Sequence, residues 1–330
     1  MRQVILGASG ISCGALGLGC MGMSEFYGPQ DDAESLRTLE RALELGVTLF
    51  DTSDMYGRGH NEQLLGRLAK GRRDRLVIAS KFGIIRDPNG ASGSLYDRDL
   101  DNSRDYMRKA LDASLKRLGT EYLDLYYVHR MDARRPIEDT MGDLADLVRE
   151  GKIRAIGLSE VSPEILRRAS TVHPVAALQS EYSLFHRDVE AEILPTCRDL
   201  GIAFVPYSPL GRGFLTGAIT SAASLSADDL RQNAPRFQGE NIDRNLALLD
   251  QVKAIAATKS CTLGQVALAW LFAQGDDIVP IPGTKRIKYL EENVGAVTIA
   301  LTDEEAQSIS RMLSPEAIAG SRNWQAPSAR

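Results

Sequence analysis

The fold of this chain is decided by the stretch Thr48-Leu49-Phe50-Asp51-Thr52-Ser53-Asp54-Met55-Tyr56-Gly57, which changes from apolar to polar along its length. Its apolar start is typical of a buried strand, and Asp51 stands where that strand would end, with Tyr56 in the loop beyond. Two later apolar segments end in the same way, at Lys81 and at His129. These four ionisable side chains therefore stand at strand ends, which is where a (β/α)8 barrel carries its chemistry.

On both sides of this stretch, short apolar segments alternate with amphipathic helical patterns. The first predicted barrel strand covers residues 15–20, and the eighth covers 278–281. Eight strand–helix repeats predict a parallel sheet that closes into a TIM barrel. A turn cluster at 7–10 predicts an N-terminal β-hairpin, and a helix at 302–313 with a loose tail is expected after the barrel. We therefore predict one α/β domain over residues 1–330.

Composition and charge narrow the class of protein. The chain has 39 Lys and Arg residues against 44 Asp and Glu, a net charge of −5, and no basic block, so we expect no nucleic-acid partner. The four cysteines are scattered without a C-x-x-C pair, which indicates reduced core residues. The start of the chain shows no signal pattern, and the apolar helical run at 266–273 is too short to span a bilayer. We expect a cytoplasmic protein with no membrane partner, and the sequence leaves the oligomeric state open.

The four polar side chains suggest proton transfer to a carbonyl oxygen. A free tyrosine has a pKa near ~10, which is too high for ready proton exchange at neutral pH. A lysine ammonium about 4 Å away stabilises the phenolate by roughly 4 kcal/mol at an effective dielectric constant near 20, equal to about three pKa units. Asp51 is expected to hold Lys81 charged and in place, and His129 to orient the carbonyl oxygen. Tyr56 would then protonate that oxygen as it becomes an alkoxide.

Other interpretations of the same residues exist. Asp51 and Lys81 could form a structural pair with His129 satisfied at the rim, although the four groups together favour a functional site. A metal-dependent hydrolase is disfavoured and no metal site is predicted, because the four histidines show no H-x-H pair and no convergent carboxylates.

Ordered sequence blocks over almost the whole chain resemble the aldo-keto reductase family. They are GLGCMG (17–22), FDTSDMYG (50–57), SKFG (80–83), LDLYYVH (123–129), GLS (157–159), PYSPLGRG (206–213), IPGTK (281–285) and EEN (291–293). The resemblance implies a catalytic tetrad of Asp51, Tyr56, Lys81 and His129. It also implies that hydride passes from a nicotinamide to a carbonyl carbon while Tyr56 protonates the oxygen.

The resemblance further implies which residues bind the cofactor. Ser159 and Gln179 would hold the carboxamide, and Tyr207 would stack on the nicotinamide ring. The other implied contacts, to the pyrophosphate, the 2′-phosphate and the adenine, are Ser208, Leu210, Gly211, Gly213, Gly283, Thr284, Lys285, Tyr289, Glu292 and Asn293. The Gly283-Thr284-Lys285 turn stands at a predicted helix start, which is a natural anion site.

Two positions depart from the family's pattern. Glu160 stands where many members have an asparagine and some branches of the family carry an acid, which leaves its part in holding the carboxamide open. Tyr289 stands where many members have an arginine that grips the 2′-phosphate, although Lys285, Arg286 and Lys288 are nearby cations. NADPH is therefore expected over NADH, with weaker discrimination between the two than such an arginine would provide.

The resemblance implies reversible, NADPH-dependent reduction of an aldehyde or ketone to an alcohol. Phe26, Tyr27, Arg130 and Trp324 stand in loops at the expected barrel mouth, and the aromatic ones suggest a small-molecule substrate with a hydrophobic body. Two alternatives remain open. One is a cofactor-bound regulatory subunit with little turnover, which an intact tetrad disfavours, and the other is a Schiff-base aldolase acting through Lys81.

Overall fold

The computed structural model describes residues 1–86, 98–221, 223, 225 and 229–322. Its strands in chain order are β1 (Gln3–Ile5), β2 (Ser12–Gly14), β3 (Leu18–Gly19), β4 (Leu49–Asp51), β5 (Val77–Phe82), β6 (Ile84–Arg86), β7 (Arg98–Leu100), β8 (Leu123–Val128), β9 (Ile153–Ser159), β10 (Val175–Glu181) and β11 (Ala203–Tyr207). A parallel sheet contains β3, β4, β5, β8, β9, β10 and β11, each paired with the next in that order. The β1–β2 and β6–β7 pairs are antiparallel.

The helices surround this sheet. In chain order they are α1 (Asp32–Glu44), α2 (His60–Ala69), α3 (Arg104–Leu118), α4 (Ile137–Arg149), α5 (Pro163–Val172), α6 (Ile193–Asp199), α7 (Gly239–Thr258), α8 (Leu263–Phe272), α9 (Ile287–Gly295) and α10 (Asp303–Met312). Several begin at a side chain that accepts from an otherwise unpaired backbone N–H, as Ser103 does at α3 and Thr302 at α10. Their apolar faces pack with the outward-facing strand residues in one core.

The sheet closes into a barrel through residues 277–283, which lie between β11 and β3. On one side, the N–H groups of Val279 and Ile281 donate to carbonyls of β11. On the other side, the carbonyls of Pro280 and Pro282 accept from Gly17 and Gly19, at 3.0 and 3.4 Å. Because Pro280 and Pro282 lack an N–H, the seam cannot donate ladder bonds at these two positions. Residues 278–281, predicted as the eighth strand, therefore lie where that strand is expected, but they do not form a regular strand.

The barrel interior is filled by alternate residues of each strand, and the N-terminal hairpin covers its lower end. Val4, Leu6 and Ile11 of the hairpin region pack with interior side chains such as Leu125 and Val205 in a second buried cluster. Since side chains alternate between the two faces of a strand, the same series continues upward into polar residues at the upper end. The hairpin therefore seals one end of the barrel and leaves chemistry to the other.

This inward series places the predicted polar residues together. Asp51 follows Leu49 by two positions, Lys81 follows Ala79, and His129 follows Tyr127, and the apolar member of each pair lies in the interior cluster. β4, β5 and β8 are also consecutive in the sheet. The three side chains consequently converge at the C-terminal end of the barrel, as expected for this architecture.

The predicted (β/α)8 barrel with its N-terminal hairpin and C-terminal helix is confirmed, with shifts at some element ends. The first barrel strand is Leu18–Gly19 rather than 15–20, because its neighbour is the proline-containing seam. α6 begins at Ile193, which places Pro195 in the first helical turn, where no N–H is needed. No single helix among the described residues is long and apolar enough to cross a membrane; α7 and α8 meet that criterion only when counted together across a bend of 83°.

Candidate active site

A buried ion pair lies at the centre of the barrel mouth. Nζ of Lys81 donates to Oδ1 of Asp51 at 2.5 Å and to the carbonyl of Thr52 at 2.9 Å. Lys81 is 0% exposed and Asp51 is 4% exposed. The second carboxylate oxygen of Asp51 accepts from the amide of Gln179 at 2.7 Å. A buried charge pair is tolerated when its remaining groups are hydrogen-bonded, and both members meet that condition here.

The turn after β4 brings Tyr56 over this pair. Gly57 has a φ of 55°, and a Cβ at this position would lie 2.9 Å from Cβ of Ser24, so the turn requires glycine. The Tyr56 hydroxyl accepts from Nζ of Lys81 at 3.4 Å. The Tyr56 ring meets the His129 ring edge-on, with the centroids 5.9 Å apart. The side chains predicted for proton transfer thus surround one point at the mouth.

His129 follows β8 and is oriented by its neighbours. Its Nδ1 shares a hydrogen bond with the hydroxyl of Ser53 at 3.2 Å. The next residue, Arg130, turns its guanidinium back and donates to the His129 carbonyl at 2.6 Å and to Oγ of Ser159 at 2.9 Å. Both acceptors are neutral, and the described residues form no ion pair with Arg130. A positive charge therefore stands beside His129 at the mouth.

Burial dominates the protonation of Tyr56. It raises the pKa of the phenol well above its ordinary value, the carboxylate of Asp51 acts in the same direction, and Arg130 opposes them. Burial also lowers the pKa of Lys81, against the attraction of Asp51. The predicted fall in the pKa of Tyr56 is therefore not found, because burial of the phenol raises this pKa and the carboxylate of Asp51, which is paired with Lys81, adds to the rise. Tyr56 stays protonated at neutral pH, as a proton donor must.

An apolar wall stands beside the phenol. Met55, Tyr56 and Ile84 form a small buried cluster, against which Met21 and Leu100 pack. Sequence analysis assigned a role to none of these four aliphatic side chains, because methionine, leucine and isoleucine are ordinary core residues by type. Only their position next to Tyr56 identifies them. A wall of this kind suits the apolar part of a small ligand and shields the phenol of Tyr56 from water.

The next strand ends carry the residues predicted to bind the nicotinamide. Ser159, Gln179 and Tyr207 end or nearly end β9, β10 and β11, and Ser159 and Gln179 are buried. Glu181, two residues after Gln179 and on the same inward face, is also buried and pairs with Arg212 at 3.0 Å. The sequence shows Glu181 at the polar end of this strand but predicts no role for it, although the alternation of inward residues along β10 places it on the same face as Gln179.

The loop after β11 turns sharply at the mouth. Ser208, Gly211, Arg212 and Gly213 all have positive φ. The N–H of Gly211 donates to the Ser208 carbonyl at 2.9 Å, and that of Gly213 donates to the Leu210 carbonyl at 3.0 Å. The loop thus makes two successive tight turns. Glycine is suited to such positive-φ backbone and leaves room for a ligand to approach it closely.

The start of α9 offers donors for an anion. Its N-cap side chain makes no hydrogen bond to the helix, and Lys285, Arg286 and Lys288 surround this end. Uncapped N–H groups together with cations are a donor set that suits phosphate. In this structure, however, Nζ of Lys285 donates to the carbonyls of Tyr27 and Pro29, at 2.7 Å each. Lys285 therefore also fastens the loop before α1.

The remaining predicted cofactor residues lie further along α9. Tyr289 is 42% exposed, and the ammonium of Lys288 lies 5.7 Å from the centre of its ring. Glu292 accepts from Oγ1 of Thr262 at 2.7 Å and so ties α9 to the start of α8. Asn293 is buried. Of these three predicted residues, Tyr289 has the most open position.

The comparisons with known proteins agree with this architecture. The family model described as Aldo/keto reductase family matches residues 15–314. The chain belongs to the aldo/keto reductase family. It is 48% identical over 313 residues to "Aldo-keto reductase yakc [NADP(+)]" of Schizosaccharomyces pombe, covering 93% of this chain and 91% of that protein. It is 43% identical over 331 residues to "Probable aldo-keto reductase 1" of Glycine max, covering 98% and 92%.

A solved aldo-keto reductase-type structure shows the same fold. The glycerol dehydrogenase AKR11B4 from Gluconobacter oxydans superposes with a TM-score of 0.86 at 29% identity, over 99% of this chain and 98% of that one. The recognition of the family from its sequence blocks is thereby confirmed.

The loops predicted to meet the substrate of this aldo/keto reductase occupy different sides of the mouth. The ring of Phe26 lies 5.3 Å from the guanidinium of Arg86. Tyr27 extends toward the loop after β11, where its ring lies 5.3 Å from the guanidinium of Arg231. Tyr27 is thus placed among the residues predicted for the cofactor, and Arg130 lies among the tetrad. Trp324 lies outside the described residues.

Proposed function

We propose that this protein reduces the carbonyl group of a small aldehyde or ketone to an alcohol, with NADPH as the hydride donor. It is an NADP-dependent oxidoreductase of the aldo/keto reductase family. The observation that carries the proposal is the cluster at the barrel mouth, where the Lys81 ammonium is paired with Asp51 and lies 3.4 Å from the Tyr56 hydroxyl. A phenol, an ammonium and an imidazole around one point suit the protonation of an oxygen that is gaining negative charge.

Tyr56 is the proton donor in this proposal. Its raised pKa keeps the phenol protonated until the carbonyl oxygen gains negative charge. The phenolate left behind would face Lys81, and at the observed separation this attraction is about 5 kcal/mol at an effective dielectric constant near 20, before the opposing charge of Asp51 is counted. Lys81 therefore stabilises the charge that forms during the reaction, while His129 orients the carbonyl oxygen.

The donors of this chain fit a dinucleotide. When bound, the nicotinamide supplies the hydride. Ser159 and Gln179 would hold its carboxamide, and Tyr207 would stack on its ring. Because the amide of Gln179 donates to Asp51 in this structure, that amide would have to exchange or share this bond. The loop after β11 would hold the pyrophosphate through Ser208, Leu210, Gly211 and Gly213.

The start of α9 would hold the adenosine end. The residues proposed are Gly283, Thr284, Lys285, Tyr289, Glu292 and Asn293. The uncapped helix start with three nearby cations supports a 2′-phosphate there, and hence NADPH over NADH. Lys285 would act in two ways, because its ammonium also holds the carbonyls of Tyr27 and Pro29.

The mouth combines an apolar wall with a cation. Met21, Met55 and Ile84 beside Tyr56 favour a substrate with a hydrophobic body. The guanidinium of Arg130 donates to two neutral acceptors and lies close enough to the phenol for its charge to oppose the rise that burial causes in the pKa of Tyr56. A carbonyl compound that also carries a carboxylate would give this guanidinium an anionic partner. We therefore expect aromatic aldehydes with a carboxylate to be favoured over neutral ones.

A cofactor titration combined with turnover tests the proposal. Wild-type protein is titrated with NADPH and NADH by fluorescence, and oxidation of NADPH is then followed with a panel of aromatic aldehydes. Tyr56→Phe is the matched variant, since it removes a single hydroxyl. We expect wild-type turnover, and we expect Tyr56→Phe to bind NADPH nearly as tightly while losing most turnover, because the hydroxyl acts only as charge develops.

Each result has a defined meaning. If Tyr56→Phe keeps most of its activity, Tyr56 is not the proton donor. Tight NADPH binding by the wild type without turnover of any aldehyde would favour the cofactor-bound regulatory subunit. If neither cofactor binds, the reductase assignment fails, and borohydride trapping of a carbonyl compound on Lys81 would then test the aldolase alternative.

A further inference from the structure

The side chain of Arg322, near the C-terminal end of the chain, reaches into the barrel mouth. Its Nε donates to Glu181 at 2.9 Å, and its Nη2 donates to Glu160 at 2.8 Å and to the hydroxyl of Tyr207 at 3.0 Å. Its Nη1 lies 2.9 Å from Nε2 of His186. Arginine has five N–H donors in a fixed plane, and these four contacts use most of them.

Three of these partners stand at consecutive strand ends. Glu160 directly follows β9, Glu181 ends β10, and Tyr207 ends β11. β9, β10 and β11 are neighbours in the sheet. Arg322 thus joins three barrel strands at the place where Ser159 and Gln179 are proposed to hold the nicotinamide carboxamide.

The contacts of Arg322 explain why a glutamate is stable at position 160. Glu160 adopts a positive φ of 54°, its N–H donates to the Gln179 carbonyl at 3.0 Å, and its carboxylate accepts from the N–H of Glu181 at 2.9 Å. Burial raises the pKa of Glu160, but the charge and hydrogen bond of Arg322, the N–H of Glu181 and the charge of Arg130 together outweigh burial and leave that pKa below its ordinary value. The carboxylate stays ionised and is held in one orientation by Arg322 on one side and by backbone on the other.

Tyr207 depends on Arg322 in a different way. Its hydroxyl accepts from the guanidinium, so the ring is held at its base by β11 and at its tip by Arg322. His186 completes the arrangement, because an arginine can only donate, so Nε2 of His186 accepts and the ring is neutral. Burial and Arg322 both lower the pKa of His186, which keeps this neutral form. A ring fixed at both ends loses little entropy when a ligand stacks on it.

We propose that Arg322 is a positioning residue for the nicotinamide end of the cofactor: it holds the Tyr207 ring and the Glu160 carboxylate in the geometry that the nicotinamide meets. This inference rests on the proposed function, because it assumes that the nicotinamide stacks on Tyr207. It adds a residue of the C-terminal segment to a site otherwise built from strand ends. It also gives a role to the glutamate that replaces the family's usual asparagine.

A pair of ligands separates this role from a general structural one. NADPH carries the nicotinamide, whereas 2′-phospho-ADP-ribose contains the same adenosine, 2′-phosphate and pyrophosphate without it. Their dissociation constants are measured for the full-length wild type, Arg322→Gln and Arg322→Lys. Arg168→Gln is the matched control, because Arg168 also forms a two-pronged ion pair, with Glu138 on the outer helices.

We expect Arg322→Gln to weaken NADPH binding about tenfold, the effect of losing one charge-assisted hydrogen bond, and to leave 2′-phospho-ADP-ribose within about twofold. Arg322→Lys should recover part of the loss, because it keeps the charge without the planar fork. Arg168→Gln should change neither ligand. Equal weakening of both ligands by Arg322→Gln, or no weakening of NADPH, would overturn the positioning role. Failure of the wild type to bind NADPH would overturn the proposed function and this inference together. A wild type that binds NADPH, with an Arg322→Gln variant that binds it equally well, would overturn this inference alone.

Discussion

Replacing Lys81 with methionine is the most direct perturbation of the buried pair. Methionine has a similar length and no charge, so the variant keeps much of the packing and removes the ammonium. Asp51, 4% exposed, would then retain the amide of Gln179 at 2.7 Å as its remaining side-chain donor. The carbonyl of Thr52 would lose the bond at 2.9 Å that Lys81 donates.

The magnitude follows from leaving a charge buried without its partner. Removing one member of a buried ion pair costs about 3–5 kcal/mol, because the desolvated charge that remains is uncompensated. The hydrogen bond from Gln179 favours the lower end of that range. Turnover should fall by at least about a hundredfold as well, because an attraction of a few kcal/mol between the Tyr56 phenolate and the ammonium is lost.

Urea unfolding at neutral pH measures the first effect, with the double variant Asp51→Asn, Lys81→Met as the control. Lys81→Met should unfold at clearly lower urea than the wild type. The double variant should recover a substantial part of the difference, because no buried charge remains, yet it should stay inactive. An unchanged unfolding midpoint for Lys81→Met would refute the reasoning, since it would mean that Asp51 needs no partner in the folded protein.

Three further predictions concern other groups. Lys285→Ala should weaken NADPH about tenfold more than NADH in a fluorescence titration, with Lys253→Ala on α7, an exposed lysine paired with Asp250, as control; equal losses for both cofactors would exclude a phosphate contact by Lys285. Burial raises the pKa of Asp54 to about 7, so the cost of its charge to the stability of the folded protein grows as the pH rises from about 4 to 7. Asp54→Asn should therefore stabilise the protein against urea by up to about 4 kcal/mol at pH 8 and hardly at pH 4. A gain independent of pH would contradict this. Arg130→Gln should lower kcat/KM for 4-carboxybenzaldehyde more than for 4-methylbenzaldehyde. An equal loss of kcat/KM for both aldehydes would indicate that Arg130 acts with the tetrad rather than on the substrate carboxylate.

Much of the site is local in sequence and could be predicted from it. Asp51, Lys81 and His129 each follow an apolar strand, and the two-residue alternation along a strand dictates that they point inward once the barrel closes. Glu181 obeys the same rule but was not assigned, because a lone glutamate after Gln179 is equally typical of a solvated strand end. The aliphatic wall beside Tyr56 carries no signal of its own.

Protonation depended on the tertiary structure. The sequence suggested that Lys81 would lower the pKa of Tyr56, but the folded chain buries the phenol and places Asp51 close to both groups, and burial raises that pKa instead. The balance between desolvation and charge depends on distances of a few ångströms, which residue spacing does not contain.

The sequence by itself determined the barrel, the order of its strands and the chemistry at their ends, because apolar periodicity and strand-end polarity are local properties of the chain. Only the tertiary structure decided which distant groups meet. Arg322 reaches Glu160, Glu181 and Tyr207, and Lys285 reaches the carbonyls of Tyr27 and Pro29. These contacts join segments separated by more than a hundred residues, and no pattern along the chain specifies them, since they form only when the barrel closes and brings its loops to one end.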